Sequence, residues 1–592
     1  MNPSIVITGE GIVCAIGLDK DAVLASLRER RTGIGTMRYL RSVHQELPVG
    51  EVPLSDEEMR RQLGLVDAQL VNRTTLMGML AVRQALADAA IDVSTVKRQP
   101  LRLVLVSGTT VAGMDITERF FRELQDSDEH LRCLLSHSAG SSTRLIADYF
   151  GIFDEYTTIS TACSSAANAL ILGANLLKAG QADIVVAGGT EALSVFHLNG
   201  FNSLMILDHE QCRPFDETRA GLNLGEGAAF VVLEREEQAL QRRAEVHGYL
   251  LGYGNACDAF HQTASSEDGE GACLAMTEAL RMAQLQPGDI QYVNAHGTGT
   301  PNNDQSESVA LRRVFGERMP LVSSTKGFTG HTTSASGSIE TVICLLALRH
   351  QFVPANLGCT QPLSGGIVPT MGEDHCELRH VLCNSFGFGG NDTSLVVSSL
   401  QTGRLEASNE SFAGSIRVLS KVEINSEEEL AEIRDYVKPL EARRMGKIMK
   451  SSLLSSLKAL KLAGLERPDA IITGTALGCL ENSEQLLLQI MEEGETMLKP
   501  TYFMQSTHNT ISSNIAIRTK CHGYNVTYTQ DGDSLAWAMR DAELLLRSGK
   551  CKTVLVGCHD ETTPLFRSLM RRLGEPEQPA VHSIAMVLTC GE

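Results

Sequence analysis

A chain of 592 residues exceeds what one hydrophobic core ordinarily supports, so at least two domains are expected. Its 43% hydrophobic and 21% charged residues exclude a disordered chain, and no apolar run reaches the length of a membrane span. The net charge of −19 excludes general nucleic-acid binding and means that any acidic partner must find a local basic patch. The 15 cysteines are odd in number and scattered, without a zinc or redox pair, which predicts free thiols in a reducing cytoplasm and no metal site. The N-terminus starts as a strand without a basic n-region, so no signal peptide is predicted.

Short Val- and Ile-rich runs alternate with helical patterns, the signature of an α/β layered fold. Strands are predicted over 4–9, 101–108, 182–189, 228–234 and 393–400. Residues 72–90 carry apolar positions at helical spacing. Residues 164–180 read as a buried helix of small side chains closed by Gly180. The polar stretch 401–414 reads as a linker. The pattern then begins again. SIRVLSKVEI (415–424) echoes the first strand, DAIITGTALGCLENSE (469–484) echoes LVLVSGTTVAGMDITE (103–118), and LRSGKCKTVLVGCHDE (546–561) echoes LKAGQADIVVAGGTEA (177–192). Residues 415–592 are therefore a diverged repeat of the first half of the front module.

Four segments carry chemistry. In STACSSAANALILGANLLKAG (160–180), Cys163 sits between a strand and a helix N-terminus, where the dipole and free amides favour a thiolate. A buried structural cysteine in a tight turn is the competing reading of that segment alone. In NAHGTGTPNNDQSE (294–307), glycines hold His296 at a loop tip. SSTKGFTGHTTSASGSIE (323–340) places Lys326 before His331. NSFGFGGND (384–392) puts Phe388 between glycines, a loop suited to an oxyanion-binding N–H and an aromatic gate, or to a plain turn.

Together, in order and spacing, these segments resemble the β-ketoacyl synthase family of the thiolase superfamily over residues 1–400. The resemblance implies a layered α/β/α/β/α fold, with 1–245 carrying the nucleophile and 246–400 the histidines. It implies decarboxylative condensation of a malonyl thioester with a cysteine-bound acyl chain. Cys163 matches the acylated nucleophile, His296 and His331 the decarboxylating pair, and Lys326 the lysine before the second histidine. Phe388 matches the gate and, with Cys163, supplies oxyanion amides. Asp304, Glu307 and Glu340 match acidic positions that order the site. Thr109 and Thr110, in the glycine-flanked loop 107–113, are expected to line the acyl pocket. No cofactor is implied beyond the phosphopantetheine of an acyl-carrier protein, which is the expected partner, with Arg73, Arg119 and Arg122 as docking candidates. Family members pair the strand before the nucleophile across a dimer, so 155–162 is expected to pair with a second copy. Three other readings compete. A non-catalytic chain-length factor typically lacks the nucleophile. A thiolase typically carries a late cysteine, absent from NSFGFGG. The priming synthases generally use Cys-His-Asn, which His331 opposes. Fatty acid and polyketide pathways stay open, and the extra module tilts the reading towards a specialised aryl-polyene or flexirubin type.

Sliding the repeat by about 369 residues, an ungapped alignment estimate, sets Gly532 opposite Cys163, with Asp533 beside it. The module ends before any histidine loop, and His508, His522 and His559 lie in no catalytic motif. It is read as a dead copy, either a stabilising appendage or a tethered degenerate partner that shapes the dimer or acyl tunnel.

Overall fold

A computed structural model describes residues 3–66, 71–401, 414–576 and 578–591. Most of the 401–414 linker lies outside the described residues. The main sheet takes ten strands from the front module: β1 (Ile5–Cys14), β2 (Leu103–Gly108), β3 (Glu155–Ile159), β4 (Ile184–Glu191), β5 (Gly227–Arg235), β6 (Gly248–Cys257), β7 (Tyr292–Asn294), β8 (Leu321–Ser323), β9 (His380–Gly387) and β10 (Asn391–Ser398). The C-terminal module adds β11 (Ile416–Ile424), β12 (Ala470–Gly474), β13 (Asn525–Tyr528), β14 (Thr553–Glu561) and β15 (Val581–Cys590). Their hydrogen-bonded order is β8-β7-β9-β10-β6-β1-β5-β4-β2-β3-β13-β12-β14-β15-β11.

Within that order, β1-β5-β4-β2-β3 and β6-β10-β9-β7-β8 are two five-stranded units. They touch through two residue pairs, Val6 with Tyr249 and Ile7 with Gly248. Between them lie the helices Ser165–Lys178 and Ser336–His350, both dominated by buried small and aliphatic side chains. Each sheet thus has one face on this central helical layer and the other under outer helices such as Arg73–Asp88 and Glu270–Ala283, which is the layered arrangement expected from the sequence. Burial on both faces explains why β1, β2, β4 and β5 read as near-continuous apolar runs and not as alternating ones.

The C-terminal sheet β11-β15-β14-β12-β13 repeats β1-β5-β4-β2-β3 in order and in strand direction. The helix after β3 begins at Ser165 and the helix after β13 at Ser534, a separation that matches the shift read from the sequence. The two copies meet where β3 and β13 run antiparallel, with Tyr528 opposite Ile159. Ser160 N–H donates to the Thr527 carbonyl (2.9 Å), and Thr529 N–H donates to the Thr158 carbonyl (2.9 Å). This corrects the expectation that 155–162 pairs with a second copy: that edge is already closed by the chain's own β13. The opposite edge, β11, lacks a counterpart of β6. It is blunted by a bulge between Val418 and Ser420 and by Arg417 and Lys421.

Candidate active site

Cys163 lies in the turn from β3 into the central helix. Ala162 before it adopts φ 51°, a left-handed conformation that costs an alanine energy and turns the chain sharply enough to aim the next side chain into the cavity. The turn is pinned by Ser165, whose Oγ accepts from Thr161 N–H (2.9 Å) and donates to the Ala162 carbonyl (2.7 Å). The C-terminal copy keeps this machinery. Asp531 has φ 44°, and Ser534 Oγ accepts from Gln530 N–H (2.9 Å) and donates to the Asp531 carbonyl (2.8 Å). Where the front module presents Cys163, the copy presents Gly532, so the elbow is retained without a nucleophile.

His331 follows Gly330 in the loop before Ser336–His350. Its Nε2 is 3.0 Å from Cys163 Sγ, and its Nδ1 is 3.1 Å from Ser336 Oγ. The His296 ring stands edge-on to that of His331, with centroids 5.2 Å apart. Glu307 fixes the His296 loop from below, accepting from the N–H of His296 (2.8 Å) and of Gly297 (2.7 Å). Gly297 is required there: its φ is 35°, and a Cβ would lie 2.6 Å from Ser324 Cβ. Asp304 accepts from Phe215 N–H (2.8 Å) and Gly299 N–H (3.2 Å). Lys326 and Glu340 form a buried pair at 2.5 Å. The three acidic residues are all buried, so none is a surface carboxylate.

The electrostatics follow from this burial. Desolvation holds both imidazoles well below their ordinary pKa, with nearby Lys326 adding to the effect, so both are neutral at physiological pH. Burial also pushes the Cys163 thiol up to about 12, against the opposing pull of Lys326 and the Phe388 amide. This corrects the expected resting thiolate: desolvation outweighs the helix N-terminus, and the resting group is a thiol beside a neutral imidazole. Burial likewise raises Glu307 to about 7.

These residues surround a cavity of about 380 Å³ lined by Cys163, His296, His331, Phe201, Met205 and Phe388. The Phe388 ring stacks on Phe201 (5.6 Å) at its side. Thr109 and Thr110 do not line it. Both hydroxyls are tied to the buried carboxylate of Glu191, which also takes the Ser334 hydroxyl (2.6 Å), so loop 107–113 is fastened by polar contacts where room for an acyl chain was expected. Arg73 is also corrected. It is buried, with its guanidinium on Glu226 (2.6 Å) and Asp56 (2.8 Å), and cannot reach a partner. Arg119 and Arg122 are exposed.

Several residues the sequence reading passed over reach the site. Ser336 orients His331, and Asn384 supports Glu307 (3.3 Å). From the C-terminal module, His508 Nδ1 lies 3.2 Å from Ser160 Oγ, three residues before the nucleophile. Phe503 packs edge-on against Phe201 (5.1 Å), in a space opened by Gly200. Asn509 donates to the Phe388 carbonyl (2.7 Å). No local pattern marks these; only the repeat alignment, at its shift of about 369, places 501–510 opposite 132–141 of the front module.

Comparison with known proteins gives three family-model matches. The model described as Beta-ketoacyl synthase, N-terminal domain, matches residues 2–239. Beta-ketoacyl synthase, C-terminal domain, matches 247–360, and a second N-terminal-domain model matches 420–592. The chain is 30% identical over 416 residues to a 3-oxoacyl-[acyl-carrier-protein] synthase 2 of Vibrio harveyi, spanning 67% of this chain and 98% of the relative. Among solved structures, the ketosynthase ApeO of Xenorhabdus doucetiae, solved in complex with its chain length factor ApeC, is 31% identical, with a TM-score of 0.58 over 67% of this chain and 98% of that one. PfaC Keto synthase-Chain length factor covers 99% of this chain, with 78% of its own, at a TM-score of 0.80 and 17% identity, a likeness of fold alone.

Proposed function

The chain belongs to the β-ketoacyl synthase family and is a condensing acyltransferase, and we propose that Cys163, His296 and His331 carry its reaction. The reaction is the decarboxylative Claisen condensation of malonyl-acyl-carrier protein with a cysteine-bound acyl chain. The observation that supports these roles best is the buried contact of His331 Nε2 with Cys163 Sγ, beside a second neutral imidazole.

Because the resting group is a thiol, acyl transfer is coupled to proton movement. His331 Nε2 takes the Cys163 proton as sulfur attacks the thioester carbonyl. The N–H groups of Cys163 and Phe388 hold the tetrahedral oxyanion. Collapse expels the carrier thiolate, which takes the proton back from His331. Malonyl thioester then occupies the emptied cavity. His296 and His331, both neutral, donate N–H bonds to its thioester oxygen and stabilise the enolate left as CO2 departs. Ser336 Oγ can accept or donate, so it satisfies His331 Nδ1 in either tautomer, and exchange with solvent moves the ring proton from Nδ1 to Nε2 between the two steps. The enolate carbon attacks the acyl-cysteine, the C–S bond breaks, and sulfur leaves as a thiolate that takes one proton from solvent to restore the resting thiol. Lys326, held by Glu340, adds to the desolvation that keeps both imidazoles neutral and is not the proton donor.

The carrier protein is the donor, docked by exposed cations. Arg119 and Arg122 form one candidate patch. Exposed Lys438 and Arg444 form another: they share a cavity with Gln262, next to the Thr263–Ser265 rim of the Cys163 cavity. The C-terminal module acts as a built-in degenerate partner, because it closes the nucleophile strand and presses Phe503 against the cavity wall. This arrangement supports a polyketide or aryl-polyene-type pathway. All fifteen cysteines are unpaired, which suits a reducing cytoplasm. The test is turnover with acyl- and malonyl-carrier proteins. A β-ketoacyl product that disappears in Cys163→Ala supports the reading, and product formed equally by Cys163→Ala overturns it.

A further inference from the structure

We propose that Asn509, from the catalytically empty C-terminal module, is a positioning residue for the oxyanion-binding peptide of the front module. The inference rests on the assignment of Phe388 N–H to the oxyanion and goes beyond it, because it makes the competence of the site depend on a side chain from the other copy.

The geometry is a clamp. Asn509 is fully buried, and its Nδ2 donates to the Phe388 carbonyl (2.7 Å) and to Asn391 Oδ1 (2.7 Å). The adjoining Gly389 N–H donates to the Gln262 carbonyl (2.7 Å). The Phe388–Gly389 peptide is therefore held at both ends, one end by each module. The next peptide over, Gly387–Phe388, carries the N–H that faces Cys163 sulfur. Rotation about Phe388 is what would move that N–H, and Asn509 opposes it. The loop needs such support because Gly389 (φ 82°) and Gly390 (φ 75°) give it conformational freedom. Packing against the C-terminal module is also tight at Gly389, where a Cβ would lie 2.1 Å from Ser513 Oγ. Asn391 extends the clamp, donating to the Asn525 carbonyl (3.2 Å) and Oδ1 (3.0 Å) on β13.

Asn509 is not spent on its own helix. It occupies the N-cap position of Thr510–Thr519, where an asparagine oxygen ordinarily accepts from the first turn, yet it makes no side-chain cap bond. Its Oδ1 has no hydrogen-bond partner among the described residues. The side chain is thus committed as a donor towards the front module and not as a local cap.

Asn509→Asp separates the two roles. Aspartate is isosteric, is favoured at a helix N-terminus and cannot donate when ionised. The probes are an acyl N-acetylcysteamine thioester that acylates the parent, and iodoacetamide, whose alkylation of Cys163 develops no oxyanion. Losing a direct oxyanion donor costs on the order of 10²–10³ in rate, so a loosened one is expected to slow acylation about tenfold. Alkylation should fall less than acylation, by no more than about threefold, because the Phe388 N–H also faces the resting sulfur but alkylation has no oxyanion to lose. A buried carboxyl regains a donor when protonated, so the acylation deficit relative to parent should shrink from about pH 8.5 to about pH 5.5. Asn509→Ala should show the deficit at every pH. The proposal is overturned if Asn509→Asp acylates at the parental rate at high pH. It is also overturned if alkylation falls in step with acylation, or if the deficit does not shrink on acidification, since these mark general damage to the site. A parent that is alkylated at Cys163 but acylated by no thioester contradicts the proposed function instead.

Discussion

Removing the C-terminal module, by ending the chain at residue 400, strips one edge of the nucleophile strand. The hydrogen bonds lost across the seam include these four: Ser160 N to Thr527 O, Thr529 N to Thr158 O, Thr158 Oγ1 to Gln530 Oε1 (2.8 Å) and Asn525 N to Asn255 Oδ1 (2.8 Å). At about 1 kcal/mol net each they contribute about 4 kcal/mol. Phe503, 3% exposed against Phe196 and Phe201, adds about 2–3 kcal/mol of burial. The sum, about 6–7 kcal/mol, is comparable with the whole stability of many domains, about 5–15 kcal/mol. At about 2–4 °C per kcal/mol, it corresponds to a fall in Tm of more than about 10 °C. The bare β3 edge has one other remedy, antiparallel pairing with a second truncated copy. Thermal melts and sedimentation velocity over a concentration series distinguish the cases. The truncated chain should melt at least about 10 °C below the parent, or associate with rising concentration while the full chain does not. A truncated monomer that melts with the parent and makes the same products would refute the argument.

His296→Ala and His331→Ala should reduce labelled CO2 release from malonyl-carrier protein by at least about a hundredfold, the lower end of what positioned donors supply; near-parental release in both contradicts their role. Cys163→Gln should lose condensation yet retain decarboxylation, its side-chain amide standing in for the acyl-thioester. If docking is electrostatic, Arg444→Glu or Arg119→Glu should raise KM for acyl-carrier protein and flatten its salt dependence, leaving small thioesters unaffected; equal KM in both variants would dismiss both patches. His137 and His508 are half-buried by exposure yet enclosed by protein atoms, and desolvation lowers each to about 4 from 6.5. A depressed folded pKa gives stability that is full above about pH 6.5 and lost as pH falls towards 4, roughly 3 kcal/mol for each histidine. Urea midpoints of His137→Gln should therefore fall less steeply than parental ones over that window; parallel slopes would exclude it.

The sequence made the front module legible because its signals are local. The runs at β2, β4 and β5, the small-residue helix after Cys163 and the glycine-punctuated histidine loop each carry their own periodicity or turn chemistry. The repeat shift also located Gly532, since the elbow is built from residues on one short segment. What escaped depends on burial and on contacts between distant segments. The resting protonation of Cys163 is set by desolvation from several elements, which outweighs the local helix N-terminus. Thr109 and Thr110 read as small and pocket-forming, but Glu191, some eighty positions away, binds both hydroxyls. Arg73 read as solvated, but Glu226 and Asp56 bury it. The edge strand 155–162 was recognised as needing a partner, but no pattern within it says that β13 of the same chain supplies one. Phe503, His508 and Asn509 reach the site only because the second copy folds back onto the first.

The most direct test of the account is peptide-mapping mass spectrometry of the full chain after incubation with acyl-carrier protein alone. The account predicts one acyl adduct per chain, on the peptide containing Cys163, and none on the peptide containing Gly532. An adduct on any of the other fourteen cysteines, with Cys163 unmodified, would contradict it.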